Sequence, residues 1–323
     1  MRSQRSLLLL SLVSALCLPS RTLAVPSDAP SDTVRLRFGW RPGMQAWVDY
    51  EASRTRIGAG KDVRTQAAWK WRLSVSAHDK GLAVRTDSIQ LTRSHGDTPV
   101  EMLTQRLAVM TPVHLVSRKG EFVGLQNVKG FRAGVMSLMD SLLAASPSVP
   151  PGARATFEKI YSDAFVQATA SESWNSIVGA WMLGDLELGE TYVAETSSPS
   201  PAMPQLQVPL ALEFSVVRRL PCGRSERSDC VEITLNSYPD SAKTREVLAR
   251  FFESLEVPDR EKLRAAIEGT HAEAELRTVT RPDGLLPESV VVTKRVTVAS
   301  EEGGRPVKVV QEDVKTYRFR WVK

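Results

Sequence analysis

A period of two runs through this chain and constrains its fold more than any other feature. Val34, Leu36, Phe38 and Trp40 share one parity while Arg35 and Arg37 take the other. Trp69, Trp71, Leu73 and Val75 alternate with Lys70, Arg72, Ser74 and Ser76, and Tyr317, Phe319 and Trp321 alternate with Arg318 and Arg320. A strand sends successive side chains to opposite faces, so each run reads as a half-buried strand with its apolar face inward. Further strands are expected over 44–52, 82–91, 101–110, 113–117, 122–126, 188–193, 210–216, 231–235, 272–280, 290–298 and 307–321. Turn residues punctuate them at Pro42-Gly43, Asp79-Lys80-Gly81, Arg281-Pro282-Asp283-Gly284 and Glu301-Glu302-Gly303-Gly304.

Helical spacing interrupts this pattern in two places. Phe131, Val135, Leu138 and Leu142 form one stripe, stopped by the Pro-rich stretch 146–152. A second helix is expected over 153–168 and a third over 173–182, with Trp174, Ile177, Val178 and Trp181 on one face. Val247, Leu248, Phe251, Phe252 and Leu255, then Leu263 and Ile267, mark a helical pair ending at Gly269. Strands, helices, strands, helices, strands in that order predict an α+β protein. Its main element is a curved, predominantly antiparallel β-sheet, in two half-barrel-like lobes, packed on a few apolar helices. The expected organisation is a signal peptide over 1–24, a flexible leader over 25–32, a β-meander with helices over 33–186 and a β-rich half over 187–323.

Charge at first suggests a nucleic-acid partner. The 323 residues carry 42 Lys+Arg against 37 Asp+Glu, with an isoelectric point near 9.2. Arg2 and Arg5, however, precede an apolar run over 6–18 that is shorter than the roughly 20 residues of a spanning helix. Thr22-Leu23-Ala24 then offers a signal-peptidase site between Ala24 and Val25. Leu16 before Cys17 argues against lipoprotein processing at that cysteine. The segment takes Arg2, Arg5 and Arg21 with it and no acid, so the formal charge falls from +5 to +2. The chain therefore reads as exported, periplasmic or extracellular, with no transmembrane segment. Alternation also separates the rings from the cations of 69–72 and 317–321, whereas a nucleic-acid platform needs both on one face. No nucleic-acid partner is expected. Arg35, Arg37, Lys70, Arg72, Arg318 and Arg320 form a candidate outer basic patch for an anionic envelope surface.

Dedicated chemistry is sparse. Cys222 and Cys230 bracket a short loop between two strands, and a disulfide is expected there, with an irregular step near Pro221 to correct the facing of the two side chains. His78, His95, His114 and His271 stand singly, so neither a metal nor any other cofactor is expected. His271, Glu273 and Glu275 share a strand face and are the best nucleus for a dispersed catalytic site. There is no Gly-x-Ser-x-Gly elbow, and Thr55 stands where the first glycine of a phosphate loop ending at Gly60-Lys61 would belong.

The layout resembles uncharacterised secreted bacterial proteins of the β-rich envelope kind. In these a glycine precedes an aromatic strand, as at 43–48 and 189–193, a turn like Asp79-Lys80-Gly81 joins two long strands, and a late strand follows a turn like Arg281-Pro282-Asp283-Gly284. That resemblance implies no activity and no site residues. A more distant architectural likeness is to envelope lipoprotein carriers, where an incompletely closed sheet wraps helices over an apolar cavity. The expected function is a non-enzymatic binding or scaffolding module, most concretely a carrier of lipid or another apolar small molecule. The alternatives are an exported hydrolase with dispersed catalytic residues and a structural partner-binding protein.

Overall fold

The computed structural model describes residues 32–58, 62–95, 110–144, 153–182, 184–199, 206–223, 229–254, 267–302 and 305–322. The strands are β1 (Thr33–Phe38), β2 (Gln45–Ile57), β3 (Val63–His78), β4 (Gly81–His95), β5 (His114–Val116), β6 (Phe122–Leu125), β7 (Gly184–Glu187), β8 (Thr191–Pro199), β9 (Gln207–Leu220), β10 (Cys230–Pro239), β11 (His271–Arg281), β12 (Asp283–Gly284), β13 (Leu286–Glu302) and β14 (Arg305–Trp321). The helices are α1 (Val128–Ala144), α2 (Ala153–Ile160), α3 (Asp163–Ile177) and α4 (Ser241–Ser254), with a 3-10 turn at Gly179–Trp181 after α3. The signal segment with its Ala24/Val25 junction, nearly all of the leader, the strand expected over 101–110 and Leu263 lie outside the described residues.

Eleven strands form one antiparallel sheet in the order β6-β5-β4-β3-β2-β14-β13-β11-β10-β9-β8. Among the described residues the sheet does not close into a barrel, since β6 and β8 remain its edges. It nevertheless curls. One continuous core collects Val48, Leu73 and Val84 from one flank, Phe214, Ile233 and Leu276 from the other, and Trp174, Val178 and Trp181 from α3 and the turn after it. Residues so far apart along a flat sheet could not share a core, so both flanks must wrap the helix. The fold is thus α+β, a curved antiparallel sheet packed on a few helices.

A small sheet, β12-β1-β7, caps one end of the curl. Val34, Leu36, Leu186 and Leu285 are buried beneath it. Gly39 and Gly284 meet here so closely that a Cβ on Gly39 would stand 2.9 Å from Gly284 Cα, while the Gly39 N–H donates to the Gly284 carbonyl at 3.1 Å. The late turn therefore joins the cap, which requires glycine at Gly39 for the approach. Trp40, Trp174 and Trp321 pack edge to face just inside, with centroids 5.1 to 5.2 Å apart. Each indole N–H has its own carbonyl: Leu285, Gly120 and Pro287 respectively. Buried Trp needs such partners, which fix these rings in place.

The order of the large sheet contains a correspondence. On either side of β14 stand five strands, β6-β5-β4-β3-β2 and β13-β11-β10-β9-β8. Chain order maps β2 onto β8, β3 onto β9 and β4 onto β10, and the preceding strands β1 and β7 pair antiparallel. The glycine before each first strand has positive φ, 92° at Gly43 and 81° at Gly189. Each donates its N–H to a valine of the next strand, Val75 at 2.8 Å and Val216 at 2.7 Å. The glycine echo in the sequence corresponds to this shared turn.

Candidate functional site

Along β14 the inward parity is Val309, Gln311, Asp313, Lys315, Tyr317 and Phe319. All are buried except Lys315, which is exposed. An inward residue can keep solvent only where the concave face holds a recess. The register explains how one forms. Lys315 stands opposite Ala52 of β2, and Ala52 stands opposite Ala67 of β3. Two alanines on adjacent strands leave the row beside Lys315 low. The row on the capped side is tall and aromatic, Tyr317, Tyr50 and Trp69, with Tyr50 centroids 4.8 Å from Tyr317 and 5.3 Å from Trp69. Trp71 adds to this wall, 5.0 Å from Tyr50. The row on the other side is ionic: Lys294, Asp313 and Arg54.

That ionic row is cross-braced. Arg54 grips Asp313 with two donors, Nε to Oδ1 at 2.5 Å and Nη2 to Oδ2 at 3.2 Å. Gln311 Nε2 donates to the same carboxylate at 2.9 Å. Glu172, projecting from α3, pairs with Lys294. The pair ties the helix to the sheet and satisfies both buried charges. Arg56 lies one row further along the same inward parity, opposite Gln311, and burial lowers its pKa. Inward cations Arg54, Arg56, Lys294 and Lys315 thus outnumber the carboxylates Glu172 and Asp313. Arg54 and Lys294 are committed to ion pairs. Among the described residues no carboxylate lies within ion-pairing distance of Lys315.

The ionisations follow from these surroundings. Lys315 is held above the ordinary lysine value, first by the Tyr50 oxygen and then, against the cost of desolvation, by Glu172 and Asp313. Burial pushes the Tyr50 phenol up and the Tyr317 phenol far up. At neutral pH the site therefore presents an ammonium beside two neutral hydroxyls. Both hydroxyls can donate. Trp69, 3% exposed, has an indole N–H without an acceptor among the described residues.

The residues singled out by sequence lie elsewhere. Arg35 and Arg37 belong to the small capping sheet, while Lys70, Arg72, Arg318 and Arg320 lie on the convex face of the large one. Acids interleave with them: Arg35 faces Asp185 at 3.5 Å, Arg72 Asp87 at 2.8 Å, Arg318 Glu51 at 3.4 Å and Arg320 Asp49 at 2.9 Å. Lys70 lies over the outward ring of Trp47. The geometry spreads these six cations over two sheets. His271, Glu273 and Glu275 also line the convex side. Glu273 is engaged by Arg295 at 3.1 Å and Glu275 faces Arg277 at 3.6 Å. His78 sits at the β3–β4 turn, His95 ends β4 and His114 packs on Phe122 and Trp174. The four histidines do not converge.

Cys222 and Cys230 form a disulfide, with Cα atoms 5.1 Å apart. The correcting irregularity falls between Glu232 and Ile233, where the partner jumps from Arg218 to Val216 and leaves Val217 as the extra residue. It lies before Pro221, inside β9, and by shifting the alternation it puts Cys222 on the same face as Cys230. Glu288 approaches both sulfurs, but their bond removes the thiolates a metal would require. Gly58 has φ of 118°, and a Cβ there would stand 2.3 Å from the Lys308 carbonyl. Its glycine is demanded by β14. A surface cleft of about 290 Å³ between α1 and α2 is lined by Lys129, Arg132, Arg154, Glu158 and Asp163, and Arg154 is taken up by Asp140 and Glu158.

Sequence reasoning did not find the recess. Its signal was available: Gln311, Asp313 and Lys315 share the parity of Tyr317, Phe319 and Trp321, so a polar run enters an apolar face. The partners Glu172, Arg54 and Ala67 lie too far away in sequence for any spacing rule.

No family model matches the chain, and no curated protein matches it. Among solved structures, an outer membrane channel from Pseudomonas putida F1 aligns over 91% of this chain and 100% of its own, at 11% identity and a TM-score of 0.19. A likeness that slight carries no argument. No helix among the described residues is long and apolar enough to cross a membrane.

Proposed function

We propose that the chain is an exported, non-enzymatic envelope protein that binds a lipid or related apolar molecule in the recess beside Lys315. The observation that carries this reading is the exposure of one inward-facing residue in a strand whose inward neighbours are buried. Water reaches the concave face at that point, and the low Ala52–Ala67 floor against the Tyr50, Trp69 and Trp71 rings gives an apolar ligand a wall to pack on. Burying a methylene there is worth about 0.8 kcal/mol, so even a short alkyl chain gains useful affinity. The disulfide supports an oxidising compartment, in agreement with the N-terminal address read from the sequence. The reading also makes the chain a member of the β-rich secreted proteins whose layout it resembles.

Native mass spectrometry of the protein purified from its own envelope fraction tests this. A co-purifying apolar ligand that is absent from the Ala67→Phe variant is the expected result. A ligand-free protein that also takes up no lipid from vesicles overturns the proposal.

A further inference from the structure

We infer that the recess selects its ligand by charge, holding a single-chain anionic amphiphile with its head group on Lys315 and its alkyl chain over Ala52 and Ala67. This rests on the binding function proposed above and names the class of ligand. Three observations lead to it. The first is the excess of inward cations: once Arg54 is bound to Asp313 and Lys294 to Glu172, Lys315 faces the recess with solvent contact and no carboxylate at ion-pairing distance among the described residues. The second is the supply of donors nearby. The hydroxyls of Tyr50 and Tyr317 belong to the next row of the same face, and a neutral phenol can donate. A ligand matched to these groups must bring acceptor oxygens and negative charge. The third is width. The floor lies between the aromatic row and the ionic row, each about 6.8 Å from it along the strands, room for one alkyl chain beside the aromatic wall and not for two.

Carboxylate and phosphate monoester heads both satisfy this chemistry, and the experiment separates them. Cis-parinaric acid reports binding through energy transfer from Trp69 and Trp71, and its methyl ester has the same chain without the charge. A charge-assisted contact predicts that the wild-type protein prefers the acid over the ester by about 10-fold or more. Lys315→Met keeps the side-chain length, removes the ammonium, and is expected to bring the two probes within about 2-fold of one another. Lys315→Arg is expected to restore the preference. Displacement by dodecanoate or by dodecyl phosphate, with dodecanol failing, supports the inference and identifies the favoured head. Equal wild-type affinity for acid and ester overturns charge selection while leaving the binding function standing. Failure of both probes to bind the folded wild-type protein removes the binding function itself. Near-ultraviolet circular dichroism checks that Lys315→Met remains folded, as expected for a residue with solvent contact and no ion pair.

Discussion

Replacing Lys294 with methionine tests how helix α3 is held inside the curl. The side chains of Lys294 and Glu172 are 9% and 11% exposed, so neither charge has water to fall back on. Removing one partner of a buried pair leaves the other charge uncompensated and costs about 3–5 kcal/mol. Here the low end applies, because the Glu172 carboxylate also acts on Lys315 and keeps some compensation after the substitution. The expected loss is therefore about 3 kcal/mol in chemical denaturation with an unchanged m-value. In a chain this long that corresponds to a fall in melting temperature of roughly 6 °C. The double variant Lys294→Met/Glu172→Leu removes both charges and should recover to within about 1 kcal/mol of wild type, since replacing a whole buried pair by apolar groups is close to neutral. The two single losses would then be strongly non-additive. A cost below about 0.5 kcal/mol for Lys294→Met, or simple additivity in the cycle, would refute the claim that this pair is desolvated.

Three further outcomes follow from the same geometry. Burial lowers the His114 pKa from 6.5 to about 4, so the native state binds fewer protons than the unfolded chain between those values. Its contribution, at most about 3 kcal/mol, is present above pH 6.5 and lost as pH falls towards 4; urea titrations across that window should show the loss, and His114→Gln should flatten it. The Cys222–Cys230 bond closes a loop with a separation of 8 residues, and its removal as the double alanine variant should cost about 2.5 kcal/mol in the chain-entropy model, read by equilibrium unfolding with and without reductant. Ala52→Phe or Ala67→Phe raises the floor of the recess and should abolish uptake of charged and neutral probes alike; unchanged uptake of both would place the ligand elsewhere.

The strand parity was legible because the sheet is solvated on one face only. Trp69, Leu73, Val75, Tyr317 and Phe319 point inward as their alternation requires, and a slip of one residue would put Lys70, Ser74, Ser76, Arg318 and Arg320 in their places. Helix boundaries were less legible. The stretch expected to be helical over 153–168 breaks at Ser162, whose hydroxyl accepts the Phe165 N–H and caps α3. The stripe of Trp174, Ile177, Val178 and Trp181 suggested a separate helix, whereas Trp174 and Ile177 end α3 and Trp181 lies in the 3-10 turn beyond it. Hydrophobic spacing continues across such a junction, while the Ser162-Asp163 capping signal is local and easily outweighed. The recess was hidden for a different reason. Its floor is made by the small size of Ala52 and Ala67, and smallness carries no chemical signature until register places the two residues side by side and Lys315 next to them.

Amine footprinting tests the central claim most directly, that Lys315 faces inward yet meets water and ligand. With the native protein and an acylating reagent, mass spectrometry should find Lys315 modified while Lys294, buried against Glu172, stays protected. Adding dodecanoate should then shield Lys315 and leave the convex-face Lys70 unchanged. A Lys315 as inert as Lys294 before ligand is added, or as reactive afterwards as before, would contradict the account.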